Sequence, residues 1–259
     1  MENKFVNITE SNIDREHLCC IIRSKKPHKG IEVKRSWLAE RIKEGHIFRK
    51  LDVNGCAFIE YAPLNKAWVP IISDNNDFYY IYCLWVTGEQ KGHGYGKALM
   101  EHCISDAKSK KLSGICMLGA KKQKAWLSDQ DFAKKYGFMV IDTAGEYELL
   151  ALIFDENIKA GDNMPHFTDN AKKQVIENKG LVVYYDCQCP YIPGRIEKLS
   201  EYCLQNNINA DFVEVNTLEQ AKALPCVFNN WAVFYNGNFI TVNQTDGAAL
   251  EKLMKKVRE

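Results

Sequence analysis

The chain has 259 residues, with 34 basic and 33 acidic side chains and a formal net charge of only +1 at pH 7. This balance argues against a nucleic-acid partner that is held by bulk electrostatic attraction. Apolar residues make up 46% of the chain, enough for a sizeable core, and no apolar run approaches the roughly 18 residues of a membrane span.

The first residues carry no apolar signal segment, and the ten cysteines are scattered through mostly apolar stretches. Without a secretion signal, such cysteines are expected to be reduced thiols rather than disulfides. We therefore expect a cytoplasmic protein without a membrane segment. The sequence leaves the oligomeric state open.

Apolar periodicity and turn signals predict a first group of elements near the N-terminus. These are a strand over 5–9, helices over 12–23 and 32–43, and strands over 46–53, 55–61 and 66–72. The dipeptide Asn54-Gly55 is typical of a hairpin between two of these strands.

The next elements surround a glycine-rich turn. They are a buried strand over 78–86, an amphipathic helix over 97–110, a strand over 114–118, a helix over 126–135, and strands over 139–142 and 146–154. We expect the strands at 78–86 and 114–118 to be parallel, because the helix that follows the turn connects them.

Residues 155–179 are mostly polar and are predicted to be a linker with one short helix over 169–177. A second unit begins at Gly180 and has the predicted order βαβαββα. Its elements cover 181–185, 194–205, 210–215, 218–223, 231–235, 239–242 and 250–257. Asn236-Gly237 is another hairpin signal.

The glycine-rich turn is the segment Lys91-Gly92-His93-Gly94-Tyr95-Gly96-Lys97. Glycine at every second position leaves the backbone N–H groups uncovered, and a helix N-terminus lies directly behind them. Such a turn is suited to bind a phosphate or pyrophosphate group. Its G-x-G-x-G spacing matches neither the dinucleotide fingerprint nor the ATP-binding P-loop.

The motif Lys91-x-x-Gly94-x-Gly96 resembles [Q/R]-x-x-G-x-[G/A] of the GNAT acyl-CoA N-acetyltransferases. Lys91 stands where that family usually has Gln or Arg, and it keeps the positive charge. The element order over residues 3–155 is also the family's order. The resemblance implies an α/β (α+β) fold with a mixed sheet over residues 1–155, in which two parallel strands splay at a bulge and admit the thioester arm of CoA.

Three further segments make the chain similar to GNAT proteins that carry a YoaP-like C-terminal domain. They are Lys34-x-x-Trp37-Leu38, Ile59-Glu60-Tyr61 and Cys83-Leu84-Trp85-Val86. After a linker over 156–179, the βαβαββα order of residues 180–259 resembles thioredoxin and glutaredoxin.

The GNAT resemblance implies that acetyl-CoA is the co-substrate. The residues expected to bind it are Trp85, Val86, Lys91, Gly92, His93, Gly94, Tyr95, Gly96 and Lys97. The Val86 N–H is the candidate donor to the developing oxyanion, while His93 is expected to point to solvent.

The sequence does not assign the acid that protonates the leaving thiolate or the base that deprotonates the amine. Many family members use a Tyr as the acid for the leaving thiolate, at the position that Ala133 occupies here. Candidate bases are Glu60, which could equally be a solvated carboxylate on an outer face, and Tyr82, although a strand tyrosine is more often a packing residue than a catalyst. Lys34 could select the substrate or could be an ordinary surface lysine.

The segment Cys189-Pro190-Tyr191 resembles the glutaredoxin turn C-P-Y-C, but Ile192 occupies the place of the second Cys. Cys187 is the near partner. Three interpretations stay open: a redox site that uses one or both thiols, a thiophilic metal site, or a degenerate module that positions a substrate. Two Cys without clear His partners make a poor zinc site, so no metal is predicted.

The sequence therefore predicts an N-acetyltransferase that transfers an acetyl group to a small-molecule or peptide amine by direct attack in a ternary complex. One alternative is a thiol-redox protein that uses Cys189. Another is a non-catalytic CoA-binding module. Neither a nucleic acid nor a membrane is an expected partner.

Overall fold

A computed structural model describes residues 5–18, 20, 28–52, 56–74, 77–154 and 164–258. The elements over residues 5–154 are β1 (Phe5–Asn7), α1 (Lys29–Lys43), β2 (Ile47–Leu51), β3 (Ala57–Pro63), β4 (Ile71–Ile72), β5 (Phe78–Val86), α2 (Tyr95–Ser109), β6 (Gly114–Ala120), α3 (Gln130–Lys134), β7 (Met139–Ala144) and β8 (Tyr147–Ile153). Those that follow are β9 (His166–Phe167), α4 (Asp169–Lys173), β10 (Leu181–Tyr185), α5 (Ile192–Gln205), β11 (Ala210–Glu214), α6 (Leu218–Lys222), β12 (Trp231–Tyr235), β13 (Asn238–Thr241) and α7 (Gly247–Arg258).

Within the described residues, the larger sheet has seven strands in the order β1-β2-β3-β5-β6-β8-β7. Neighbouring strands are antiparallel except β5 and β6, which are parallel as predicted. Apolar clusters cover both faces of this sheet. Strand β5 is therefore a nearly continuous apolar run, as expected for a strand that is buried on two sides.

Strand β5 contains a bulge at Tyr82. Opposite it, β3 pairs Glu60 with Cys83 but Tyr61 with Ile81, so Tyr82 has no partner in the ladder. The ladder between β5 and β6 ends at Ile81, which pairs with Met117. Both strands continue beyond that point, and they separate because a bulge increases the local bend and twist of its strand. A gap opens between them on the side of the glycine-rich turn.

The second sheet lies in the C-terminal unit (residues 180–258) and has the order β11-β10-β12-β13. Strands β10 and β11 are parallel, and the other neighbours are antiparallel. The predicted βαβαββα order is the order observed. The Asn236-Gly237 turn has φ values of 48° and 87°, which a two-residue hairpin turn requires.

Buried polar contacts join the C-terminal unit to the larger sheet. The Tyr80 hydroxyl donates to Oδ1 of Asn229 at 2.7 Å, and Asn229 Nδ2 donates to the carbonyl of Tyr82 at 3.2 Å. Because burial leaves such groups without water, these hydrogen bonds fix how the two units sit on each other. At the edge of the contact, Lys222 Nζ donates to the carbonyl of Ile71 in β4 at 2.7 Å.

Residues 10–18 form turns rather than the start of the predicted helix over 12–23. The Asn12 side chain accepts from the Thr9 N–H at 2.8 Å and donates to the Asn7 carbonyl at 2.9 Å. Such local side-chain bonds compete with helix formation. The later part of that predicted helix lies outside the described residues, as does the Asn54-Gly55 turn.

Two other predictions were wrong in part. The predicted strand over 66–72 does not extend the antiparallel meander, because β4 pairs instead with β9, a strand inside the predicted linker. The predicted helix over 126–135 is shortened to α3, since Asp129 caps it by accepting from the N–H groups of Asp131 and Phe132. Residues 155–163 lie outside the described chain.

No helix in the described ranges has both the length and the apolar character that crossing a bilayer requires.

The close approach of α1 to the turn before α5 yields a test. A Cβ added at Gly30 would lie 1.8 Å from the carbonyl oxygen of Pro190, whereas one added at Gly194 would meet nothing within 4 Å. We expect Gly30→Ala to destabilise the protein by about 1–3 kcal/mol, which lowers Tm by roughly 2–4 °C per kcal/mol. The measurement is thermal unfolding of the full chain.

Gly194→Ala is the matched control, because both glycines lie in the first turn of a helix. Its Tm should stay unchanged or rise slightly, since alanine favours helix by about 0.5–1 kcal/mol. Equal Tm values for the two variants would contradict the observed packing of α1 against the C-terminal unit.

Candidate active site

Two cavities adjoin at Trp85, which lines both of them. The first has a volume of about 450 Å³ and lies beside the glycine-rich turn. Its lining residues are Leu84, Trp85, Val86, Gln90, Lys91, Gly92, Gly94, Tyr95, Gly96, Lys97, Asp129 and Phe132. We call it the turn cavity.

The glycine-rich turn presents bare backbone to the turn cavity. Gly92 and Gly94 have φ values of 83° and 78°, in the left-handed region that favours glycine, and a Cβ on either would meet nothing within 4 Å. Helix α2 begins directly afterwards, with Gly94 as its N-cap. Backbone N–H groups and the positive end of the helix dipole therefore converge on one hollow, which suits an anion.

His93 differs from the other residues of the turn. Its ring is exposed and stacks on Tyr95, with 5.7 Å between ring centroids, and it is not among the residues that line the turn cavity. Its orientation toward solvent agrees with the sequence expectation. Lys97 is also exposed, and its ammonium lies 3.7 Å from Glu101.

The backbone of β5 beyond the bulge faces the gap. The Thr87 N–H donates to the Cys56 carbonyl at 2.9 Å, on the β3 side. Antiparallel strands alternate in the direction of their N–H groups, so those of Leu84 and Val86 point away from β3. The Leu84 N–H donates to Ser128 Oγ at 2.9 Å. The Val86 N–H points the same way, into the space from which β6 has departed.

The second cavity has a volume of about 370 Å³ and lies between the two sheets. We call it the inter-sheet cavity. The larger sheet contributes Phe58, Glu60, Tyr82, Cys83 and Trp85 to its lining. The C-terminal unit contributes Gln188, Cys189, Pro190, Tyr191, Asn229, Asn230 and Gln244. Neither unit alone encloses this space.

Glu60 lies in the lining of the inter-sheet cavity and is 1% exposed. Its carboxylate accepts from Lys34 Nζ, from His46 Nε2 at 2.8 Å and from Gln188 Nε2 at 2.6 Å. Burial raises the pKa of Glu60, but the charge of Lys34 and the hydrogen bond from His46 outweigh it and hold the pKa below its ordinary value. Glu60 is thus a buried carboxylate, and the expectation of a solvated outer-face residue is wrong.

Lys34 and His46 complete the electrostatics around Glu60. Lys34 is 1% exposed, so it is not a surface lysine, and its ammonium lies 4.8 Å from the centre of the Trp37 ring. Burial lowers the pKa of His46, which makes its ring neutral at pH 7 with Nε2–H as the donor to Glu60. The site therefore holds one buried ion pair whose charges cancel.

A carboxylate offers about four acceptor positions, and the three donors on Glu60 occupy three of them. Lys34 and His46 both bind Oε1, while Gln188 binds Oε2. One acceptor position on Oε2 is left for a donor inside the cavity.

Tyr82 has a different environment. Its hydroxyl is buried and accepts from the Trp68 N–H at 2.6 Å. Burial raises the pKa of Tyr82 well above its ordinary value, so the phenol stays protonated. This environment favours a structural role at the bulge over a role as a base.

The position expected for a catalytic acid is held by a residue of the apolar core. Ala133 is buried in the apolar cluster beneath α2. Tyr136 packs against Phe132, with 5.2 Å between ring centroids.

The two cysteines of the C-x-C motif have different surroundings. Cys189 lines the inter-sheet cavity, together with Cys20 and Cys83. Cys187 donates from Sγ to Oε1 of Glu214 at 3.4 Å. Burial raises the pKa of both thiols, that of Cys187 to about 12. In the part of the chain that the structure describes, no group of three or more His, Cys, Asp or Glu side chains is placed to hold a metal ion.

Sequence reasoning missed the residues that come from distant segments. They are Trp126, Ser128, Gln188, Asn229, Asn230 and Gln244. No local pattern marks these side chains as buried; the pair Asn229-Asn230, directly before the buried strand β12, is also typical of an ordinary polar loop.

Comparisons with known proteins identify two families in this chain. Residues 15–138 match the family described as acetyltransferase (GNAT), and residues 210–252 match the family described as YoaP-like. The chain is 35% identical over 251 residues to a Bacillus subtilis (strain 168) protein described as the uncharacterized N-acetyltransferase YoaP, covering 96% of this chain and 98% of that one.

Two solved structures are similar at low identity. A GNAT family acetyltransferase from Brucella melitensis, in complex with acetyl-CoA, is 12% identical, with a TM-score of 0.39 over 65% of this chain and 98% of its own. The PaiA N-acetyltransferase from Thermoplasma acidophilum, in complex with coenzyme A, is 15% identical, with a TM-score of 0.41 over 60% of this chain and 100% of its own. On the strength of its 35% identity to the Bacillus subtilis protein over nearly the full length of both chains, this chain belongs to the GNAT family of acetyltransferases, in the group with a YoaP-like C-terminal domain.

Proposed function

We propose that this chain transfers the acetyl group of acetyl-CoA to an amine by direct attack within a ternary complex. One observation carries the proposal: a hollow of bare backbone N–H groups and a cavity with a buried carboxylate meet at Trp85. The first suits the diphosphate of the coenzyme, and the second suits the acceptor amine.

Acetyl-CoA would lie along the turn cavity. The N–H groups from Gly92 to Lys97 would bind its diphosphate, and Trp85 and Val86, which line the cavity, would contact the pantetheine arm. The Val86 N–H, which points into the gap, would then donate to the thioester oxygen as negative charge develops there. A fixed donor aimed at that charge is an effective source of catalysis.

In the reaction the neutral amine nitrogen attacks the thioester carbon. An N–C bond forms, the C–S bond breaks, and the proton lost from nitrogen ends on the CoA sulfur, which gives an amide and a thiol. Glu60 would accept a hydrogen bond from the amine at its remaining position on Oε2. Its anionic charge would stabilise the positive charge that develops on nitrogen during attack.

No protein acid is required for the leaving group. An ordinary thiol has a pKa of about 8.5, so a thiolate leaves without prior protonation. This fits Ala133 in the place of the usual Tyr.

The alternatives receive less support. A thiol-redox role needs a reactive thiolate, and burial raises the pKa of Cys189 instead. A non-catalytic CoA-binding module would gain nothing from a buried, hydrogen-bonded carboxylate in the adjoining cavity.

A charge inserted at the glycine-rich turn tests the coenzyme site. Gly94→Glu should weaken acetyl-CoA binding by about 100-fold or more, because like charges brought together cost several kcal/mol. The measurement is the Kd for acetyl-CoA by calorimetry.

Gly88→Glu is the matched control. Gly88 also has a positive φ, 57°, and open space around it, but it does not line the turn cavity. Both variants bear the same cost of about 1–2 kcal/mol for a side chain at left-handed φ. The Kd of Gly88→Glu for acetyl-CoA should change by less than about threefold, because solvent screens the exposed charge. Equal losses in both variants would argue against diphosphate binding at Gly94.

Removal of the Glu60 charge tests the acceptor site. Glu60→Gln should lower kcat/KM by roughly 100-fold or more for the best amine of a primary-amine panel, with the Kd for acetyl-CoA unchanged. CoA release is the readout. The variant also leaves Lys34 buried without its counter-charge, which costs about 3–5 kcal/mol.

The double variant Lys34→Met/Glu60→Gln separates these two effects. It removes both charges, so Tm should return toward that of the unmodified protein while turnover stays low. Turnover within tenfold of the unmodified protein would show that Glu60 has no part in the reaction. Binding of acetyl-CoA without turnover of any amine by the unmodified protein would favour the non-catalytic alternative.

The thiol-redox alternative has its own test. Cys189 should react with iodoacetamide at pH 7 about tenfold or more slowly than free cysteine, because burial raises its pKa and limits access. Residue-resolved mass spectrometry measures the rate, and the urea-unfolded chain is the control. A rate in the folded protein above that of the unfolded chain would instead favour redox chemistry.

A further inference from the structure

We propose that the acceptor is a small monoamine with a flat, apolar body that carries one hydrogen-bond donor, and that the C-terminal unit supplies part of the wall that recognises this body. The inference rests on the proposed function and narrows its substrate class. It follows from the size, the charge and the unused hydrogen-bonding groups of the inter-sheet cavity.

The size of the cavity indicates a small molecule. Its volume of about 370 Å³ lies at the lower end of the range for small-molecule sites, roughly 300–1,000 Å³. Part of its wall is fixed in place, since Asn229 binds both Tyr80 and the Tyr82 carbonyl through buried hydrogen bonds.

The charge of the cavity indicates a single amine. Lys34 and Glu60 are the charged side chains in the described lining, and they form an ion pair with each other. A second ammonium group or a carboxylate on the ligand would lose its water without gaining a counter-ion, which is costly. The free position on Glu60 Oε2 accommodates one N–H donor.

The walls indicate a flat ring. The Trp126 ring stands edge-on to the Tyr191 ring, with 5.9 Å between centroids, and both line the cavity with Trp85. The Arg195 guanidinium lies 5.3 Å from the centre of the Trp126 ring and helps to hold it. Aromatic walls of this kind bind another ring through stacked or edge-on contacts.

An unused acceptor indicates a donor on that ring. Gln244 is 5% exposed and lines the cavity. Its Nε2 donates to Asn230 Oδ1 at 3.4 Å, while its Oε1 is buried without a hydrogen-bond partner among the described residues. A buried acceptor in this state favours a ligand that brings an O–H or N–H group.

A set of matched amines tests the proposal with the full chain and acetyl-CoA. Tyramine has the ring, one amine and a phenol donor. Phenethylamine lacks the donor, tyrosine adds a carboxylate, 1,5-diaminopentane replaces the ring by a second amine, and the tripeptide Ala-Tyr-Ala presents a peptide N-terminus. We expect tyramine to have the highest kcat/KM, with phenethylamine roughly 2- to 10-fold lower, as one hydrogen bond contributes, and the other three at least about 100-fold lower.

Gln244→Leu provides a readout that a loss of stability does not reproduce. It should abolish the preference for tyramine over phenethylamine, measured as the ratio of the two kcat/KM values in this variant, because a loss of stability lowers both values equally. A preference that survives in this variant overturns the assignment of Gln244. Faster transfer to 1,5-diaminopentane, tyrosine or the peptide overturns the proposed substrate class.

The outcomes also separate this inference from the proposed function. Transfer to an amine of another class, with acetyl-CoA bound, leaves the acetyltransferase proposal intact and overturns only the substrate class. Failure to bind acetyl-CoA overturns the proposed function. If acetyl-CoA binds and no amine is acetylated, calorimetry measures whether tyramine binds to the CoA-loaded protein. A protein that does not bind tyramine under these conditions overturns the inference.

Discussion

The single unpaired residue in β5, Tyr82, determines the geometry of both cavities. Its bulge ends the ladder with β6, so the Val86 N–H points toward an open gap. The Asn229 side chain of the C-terminal unit binds the Tyr82 carbonyl at 3.2 Å. The irregularity that opens this gap thus also anchors the second unit, which closes the adjoining cavity. A regular strand at this position would provide neither feature, because its backbone groups would be paired within the sheet.

The buried ion pair is the second constraint. Taking Glu60 and Lys34 out of water is costly, and their attraction offsets that cost only when further hydrogen bonds satisfy them. His46, directly before β2, and Gln188 from the C-terminal unit supply such bonds to Glu60. Asn230 in turn donates to Gln188 at 2.8 Å. The carboxylate is therefore held by both units, which makes correct docking of the C-terminal unit a condition for an intact site.

The surroundings of one turn in the C-terminal unit oppose a reactive thiol. The turn Cys189-Pro190-Tyr191 stands directly before helix α5 and resembles the glutaredoxin turn in sequence. Here that turn faces a protein cavity rather than solvent, and burial raises the pKa of Cys189. Desolvation opposes the effect of the helix N-terminus on a thiol. The turn contributes the Tyr191 ring to the lining of the inter-sheet cavity, and its backbone at Pro190 packs closely on α1.

The amino-acid sequence by itself determined the local features of this protein. Alternation and apolar runs located most strands, the glycines at every second position located the anion-binding turn, and Asn236-Gly237 located a hairpin, because each depends on neighbouring residues alone. Tertiary structure alone decided that Glu60 is buried and that Gln188 binds it. These two residues are 128 positions apart, and no local pattern records which distant side chains meet when two sheets pack together. The inter-sheet cavity belongs to this second class, since its walls come from segments that only folding brings into contact.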